Sequence, residues 1–226
     1  RPATIHAGNW NEFLRADKSP SCKLIVEGAN LFLTPEARTN LVNAGVIIFK
    51  DSSANKCGVI CSSYEIAASM LIATDEFIAI KQQFVSEVLV KLREMARLEA
   101  ELLARMLRQQ PNLHLPNASV RLSHAVIRTA DAIEASLEDL SEAQIEVMTT
   151  VLQDHLPAVL LKTAGRRIHE QMPIAYRRWL IAKSLAARIV YREGIEAVEG
   201  VEVESIGPLA AEFLHREAER EHLAGE

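Results

Sequence analysis

Two polar loops carry the side chains of this chain best suited to hold a small polar molecule. One is Gly28-Ala29-Asn30, which follows the apolar run Leu24-Ile25-Val26; the other is Asp51-Ser52-Ser53-Ala54-Asn55, which follows Val46-Ile47-Ile48-Phe49. An asparagine amide both donates and accepts hydrogen bonds, which suits ligand hydroxyls and amides. Each apolar run reads as a short strand, and in open α/β sheets ligands bind at the carboxyl ends of strands. Asn30 and Asn55 therefore stand where a nucleotide cofactor would lie. Local roles compete with this reading. Gly28 permits positive φ and Asn30 tolerates the left-handed region, so the first loop could be a plain turn. Asp51 and the serines are ordinary turn formers, and Asn55 could cap the next helix.

Other chemistries are poorly served. Cys57 and Cys61 lie four apart on a predicted helix, but zinc sites need two further ligands and no histidine is near in sequence. They read as inert thiols, and no metal site is expected. Ser62 lacks the Gly-x-Ser-x-Gly elbow of a hydrolase nucleophile. No Gly-x-Gly-x-x-Gly phosphate loop occurs and only nine glycines are present. The chain opens at Arg1-Pro2 without an initiator Met. Together these features suggest the C-terminal piece of a longer polypeptide, joined to the rest of its parent chain.

The elements that must position the two loops lie around them. Thr34 is placed to cap a helix whose first residue is Pro35, and Gly45 follows as its terminator. Strand, helix and strand within about 25 residues make a βαβ crossover. Trp10 to Leu14 reads as a short helix beside it. From Val59 to Gln110 there is neither Gly nor Pro, room for one helix or two in series. Phe77, Phe84, Val88, Met95, Leu102 and Met106 form a bundle-type stripe there. Further helices are expected at about 118–137, 141–153, 157–171, 173–193 and 207–222, with Asp139 or Ser141, Pro157, Pro173 and Pro208 near their starts. In the helix from Pro173, Ala175, Trp179, Ala182, Ala186 and Ile189 form an apolar stripe, with Arg177, Arg178 and Lys183 off it. The expected fold is a partial Rossmann-like α/β segment over residues 1–72, then an all-helical domain over 73–226, predominantly α overall.

Composition bounds the partners. The 226 residues are 49% hydrophobic, enough for a sizeable core, and no apolar run approaches the roughly 18 residues that span a bilayer. Residues 193–226 hold ten Glu against two Arg, a local charge of −8 within a net −5. With 5% aromatics and an acidic tail, nucleic-acid binding is a poor reading. No membrane partner is expected either. An odd three cysteines suit a reducing compartment, the cytoplasm or a mitochondrial matrix.

The two loops and the helix opening Gly58-Val59-Ile60-Cys61-Ser62-Ser63-Tyr64-Glu65 resemble glutamate dehydrogenases, in particular the large NAD-dependent type. Smaller members of that family read Asn-Ala-Gly-Gly-Val-Thr-Val-Ser-Tyr, and this chain departs from them at Lys56 and Cys57, as the large type does. The resemblance implies NAD as cofactor, with Asn30 near the nicotinamide ribose, Asn55 facing the carboxamide, and Gly28 and Ala29 letting the backbone approach. It implies L-glutamate and 2-oxoglutarate as substrate and product, with Val59 lining the pocket and Ser62 binding the side-chain carboxylate. A serine at a helix start could instead satisfy its own backbone. The family's catalytic lysine and aspartate precede its nucleotide-binding domain, so no catalytic residue is expected in this stretch. A homo-oligomer is implied as well. A dehydrogenase of another amino acid, or a helical oligomerisation or regulatory module, are the alternative readings.

Overall fold

The computed structural model describes residues 1–138, 140 and 148–224, with side chains described as far as residue 220. After a short 3-10 helix at Trp10–Phe13 come β1 (Leu24–Val26), α1 (Pro35–Asn43), β2 (Ile47–Phe49), α2 (Asp51–Ala54), α3 (Lys56–Leu71), α4 (Thr74–Gln109) and α5 (Leu115–Glu138). There follow α6 (Thr149–His155), α7 (Ala158–Ala164), α8 (Ile168–Gln171), α9 (Ile174–Glu193) and α10 (Val203–Ala224). The protein is mostly helical with a small parallel sheet. By its contacts the chain divides into one unit of residues 1–60 and 92–123 and another of 61–91 and 124–226.

In the first unit β1 and β2 pair in parallel, with Leu24 opposite Ile47, Ile25 opposite Ile48 and Val26 opposite Phe49. The crossover helix α1 is built from local signals. Thr34 Oγ1 accepts the Ala37 N–H at 3.3 Å and Pro35 takes the first position. At its end Gly45, at φ 97°, donates to Val42 and Val46 donates to Leu41. This Schellman closure satisfies two carbonyls that the helix would leave bare. The core gathers Ile5, Leu33, Ala37, Leu41, Val46 and Ile48. Glu27 and Arg38 are buried beside it, joined by two 2.9 Å bonds. Each strand is covered on one face only. Leu24 is 50% and Val26 59% exposed. The pleat sends Ile25 and Ile48 toward α1 and puts Leu24, Val26 and Ile47 on the opposite face.

In the second unit α3 stops at Leu71 and α4 begins at Thr74 without a Gly or Pro between them. Glu76 makes the break, because its carboxylate accepts the Ala73 N–H at 2.9 Å, as the acid of a capping box does. Arg167 holds the same carboxylate at 2.8 and 2.9 Å and also donates to the last carbonyl of α3, Leu71. The predicted helix at 157–171 is three pieces, α7, a 3-10 turn at Gly165–Arg167, and α8. The predicted helix at 141–153 and its caps Asp139 and Ser141 fall mainly outside the described residues; Thr149 to Gln153 belong to α6. α10 starts at Val203, with Pro208 inside it rather than at its head.

Of the apolar stripe predicted on α9, Ala182, Ala186 and Ile189 are buried and Trp179 partly so, but the buried surface is wider than the stripe. Ala175 is exposed, while Leu180, Ile181, Leu185, Val190 and even Arg177 are buried. α9 is covered on most sides, so one stripe does not describe it. Arg177 is accommodated by the ring of His169, with 3.0 Å between Nη1 and Nδ1. No helix among the described residues is long and apolar enough to cross a membrane.

Candidate functional site

Both polar loops emerge at the carboxyl ends of adjacent parallel strands, and their asparagines meet. Asn55 Nδ2 donates to Asn30 Oδ1 at 2.8 Å, joining residues that are 25 apart in sequence. Asn30 is exposed and Asn55 half-buried. The side-chain carbonyl of Asn55 and the amide nitrogen of Asn30 keep their own hydrogen-bonding capacity.

The segment carrying Asn55 is a short helix, α2, rather than an irregular loop. Asp51 opens it and is 6% exposed. Its Oδ1 accepts from Lys50 Nζ at 2.6 Å and Ser52 N at 2.8 Å, and its Oδ2 accepts from Leu31 N at 2.8 Å. Burial pushes this carboxyl upward, but the Lys50 ammonium and the two N–H groups outweigh it and hold it below its ordinary value. The hydroxyls of Ser52 and Ser53 are buried with no hydrogen-bond partner.

Gly28 does not adopt the left-handed conformation; Leu31 does, at φ 56°. No atom lies within 4 Å of where a Gly28 Cβ would stand, so its neighbourhood is open. Ala29 beside it is exposed. Glu27, at the end of the same strand, faces inward to Arg38 and offers nothing to a ligand.

Val59, one helical turn past Asn55, is 77% exposed. Ser62 is exposed on α3, whereas the next residue, Ser63, is buried. The structure thus brings Asn30 and Asn55 together and leaves Val59 and Ser62 open to solvent. Lys56 is tied down, with Nζ 2.7 Å from the buried carboxylate of Glu99. Cys57 donates to the Leu92 carbonyl at 3.5 Å, and burial followed by the Glu99 charge pushes its thiol pKa up. That is the behaviour of an inert thiol. No group of three or more His, Cys, Asp or Glu among the described residues is arranged to hold a metal ion. Leu31 carries no sign in the sequence, and Asp51 reads there only as a turn former. Asp51 was visible as a polar residue after a strand, but its bond to a peptide twenty residues earlier was not.

A family model described as glutamate/leucine/phenylalanine/valine dehydrogenase matches residues 2–120, just over half of the chain. The chain belongs to this dehydrogenase family. The matched stretch holds β1, β2, both asparagines, Val59 and Ser62. The NAD-specific glutamate dehydrogenase of Saccharomyces cerevisiae is 33% identical to this family member over 94% of its chain and 21% of the relative. That of Neurospora crassa is 34% identical, over 86% of the chain and 19% of the relative. Glutamate dehydrogenase 2 of Dictyostelium discoideum is 30% identical, over 88% and 20%. The chain thus spans about a fifth of the length of these curated relatives. No solved structure matches it.

Proposed function

We propose that this chain forms part of an NAD-dependent glutamate dehydrogenase, which deaminates L-glutamate oxidatively to 2-oxoglutarate and ammonium. The observation that carries the reading is the Asn30–Asn55 pair at the ends of two adjacent parallel strands. Residues 1–72 then belong to a Rossmann-like nucleotide-binding domain and 73–226 to a helical domain, within a longer polypeptide. The names of the relatives, and the small share of their length that the chain covers, support this assignment.

The residues suit a nicotinamide. Paired amides match its carboxamide and a ribose hydroxyl, the open space at Gly28 admits a ligand close to the backbone, and the half-buried α2 keeps two hydroxyls unpartnered. Bound NAD supplies the hydride acceptor. What the chain itself contributes is orientation, because hydride transfer requires aligned, closely spaced carbons. Asn55 would hold the carboxamide and so fix which ring face meets the substrate, with Asn30 on the ribose side. Ser62 would donate a hydrogen bond from its hydroxyl to the side-chain carboxylate of glutamate, while the exposed Val59 offers an apolar wall. We assign no catalytic acid or base to residues of this chain.

Kinetics of the full-length enzyme test the reading. Asn55→Ala is expected to raise the KM for NAD about tenfold, the effect of one hydrogen bond, and to leave the glutamate KM near its starting value. Unchanged NAD kinetics together with a lower melting temperature would reduce Asn55 to a structural residue.

A further inference from the structure

The two asparagines sit on separate loops, and Asp51 grips both. Its Oδ2 accepts the N–H of Leu31, the peptide directly after Asn30, at 2.8 Å. Its backbone carbonyl accepts the N–H of Asn55 at 2.9 Å. Leu31 stands at φ 56°, a region that side chains with a Cβ disfavour. Packing does not explain that conformation, because the Leu31 side chain is 65% exposed. Hydrogen bonds do. The Leu31 N–H is spent on Asp51, and its carbonyl accepts from Ala3 N at 2.7 Å. The other oxygen of Asp51 is engaged by Lys50 and Ser52, so the carboxylate cannot swing away from Leu31 without abandoning two donors.

We propose that Asp51 is a positioning residue for the cofactor: buried beneath both loops, it fixes the backbones of Asn30 and Asn55 so that their amides lie side by side toward the nicotinamide. The proposal rests on the assignment of the two asparagines to NAD. Without the Asp51 acceptor, Leu31 relaxes to a commoner φ. That rotation carries the preceding Asn30 with it, and Asn55 loses its partner. Because Asp51 acts through Asn30, the two must be coupled rather than additive.

A double-mutant cycle in the full-length enzyme tests this, with the KM values for NAD and for glutamate measured for Asp51→Ala, Asn30→Ala and the double variant. Asp51→Ala is expected to raise the NAD KM about tenfold, by loss of a charge-assisted bond, with the glutamate KM unchanged. The double variant should be no worse than the weaker of the two singles. Two independent penalties that multiply in the double variant would overturn the proposal, as would NAD and glutamate constants that move together. If Asn30→Ala itself leaves the NAD KM untouched, the cofactor assignment fails and this proposal with it. That outcome differs from an Asn30→Ala that is impaired beside an Asp51→Ala that is not, which sinks the proposal alone. Should Asp51→Ala not fold, Asp51→Asn runs the same cycle. It retains one carbonyl oxygen for three donors, so a smaller NAD-specific rise that vanishes in the Asn30→Ala background is expected, and a normal NAD KM counts against the positioning role.

Discussion

His155 Nε2 lies 3.2 Å from the Ser63 hydroxyl, and its ring stacks on Tyr64 with centroids 4.7 Å apart. The contact ties the end of α6 to α3 in the second unit. Burial, with a smaller contribution from the nearby Lys91 charge, pushes His155 down from 6.5 to about 4. Around it, Lys91 donates to the Asp154 carbonyl, Arg188 pairs with the Asp154 carboxylate, and Tyr176 reaches the Ser63 carbonyl. The folded state thus keeps the imidazole neutral where an unfolded chain would protonate it. The contribution of His155 to stability is full above pH 6.5, falls as pH drops toward 4, and is reduced by about 3 kcal/mol once the folded pKa is passed. Thermal melting across that window should show the decline, and His155→Gln should flatten it. A variant with the same slope as wild type would assign the acid sensitivity to other groups.

Ser62→Ala separates substrate from cofactor. Ser62 is exposed, so its loss should cost the fold little. A hydrogen bond to the charged carboxylate is worth about 1.5–3 kcal/mol, which predicts a fall of about ten- to a hundredfold in kcat/KM for glutamate. The NAD KM should hold. A glutamate kcat/KM equal to wild type would remove Ser62 from the site.

Gly28 and Gly45 should respond in opposite ways to alanine. Gly45 sits at φ 97°, so a Cβ there is strained and should cost about 1–2 kcal/mol in denaturant melts. Gly28 lacks a left-handed φ and has open space at its Cβ position, so Gly28→Ala should leave stability within about 0.5 kcal/mol. In the full-length enzyme the same change should raise the NAD KM, since the added methyl occupies the space assigned to the cofactor. Normal NAD kinetics in Gly28→Ala would mean that no ligand approaches the backbone there.

What could be read from the sequence was local. Thr34, Pro35 and Gly45 carry their own instructions within a dozen residues, and α1 begins and ends where they direct. Of the stripe on α4, Phe84, Val88, Leu102 and Met106 are buried, while Phe77 and Met95 are only partly so. What failed was long-range. The break between α3 and α4 is stabilised by Arg167, more than ninety residues away, and no breaker residue marks it. The buried Arg177 on α9 depends on neighbours from other elements, so a pattern within one helix misjudged its face. In the candidate site the asparagines were legible because strand ends are recognisable. The left-handed Leu31 was not, since its conformation is imposed by Asp51 across the sheet ends.

The first unit is assembled from two stretches of chain, residues 1–60 and 92–123. Lys56 finds its acid in Glu99, and Cys57 its acceptor in Leu92. On a ribosome, which releases residues in order, the βαβ portion emerges before the second stretch and cannot complete its packing until that stretch has left the exit tunnel. The intervening residues must be closed into a loop first, an entropic delay that grows only slowly with loop length. During that interval Lys56 and Cys57 lack the partners that Glu99 and Leu92 later supply, the period in which a nascent chain would most need a chaperone.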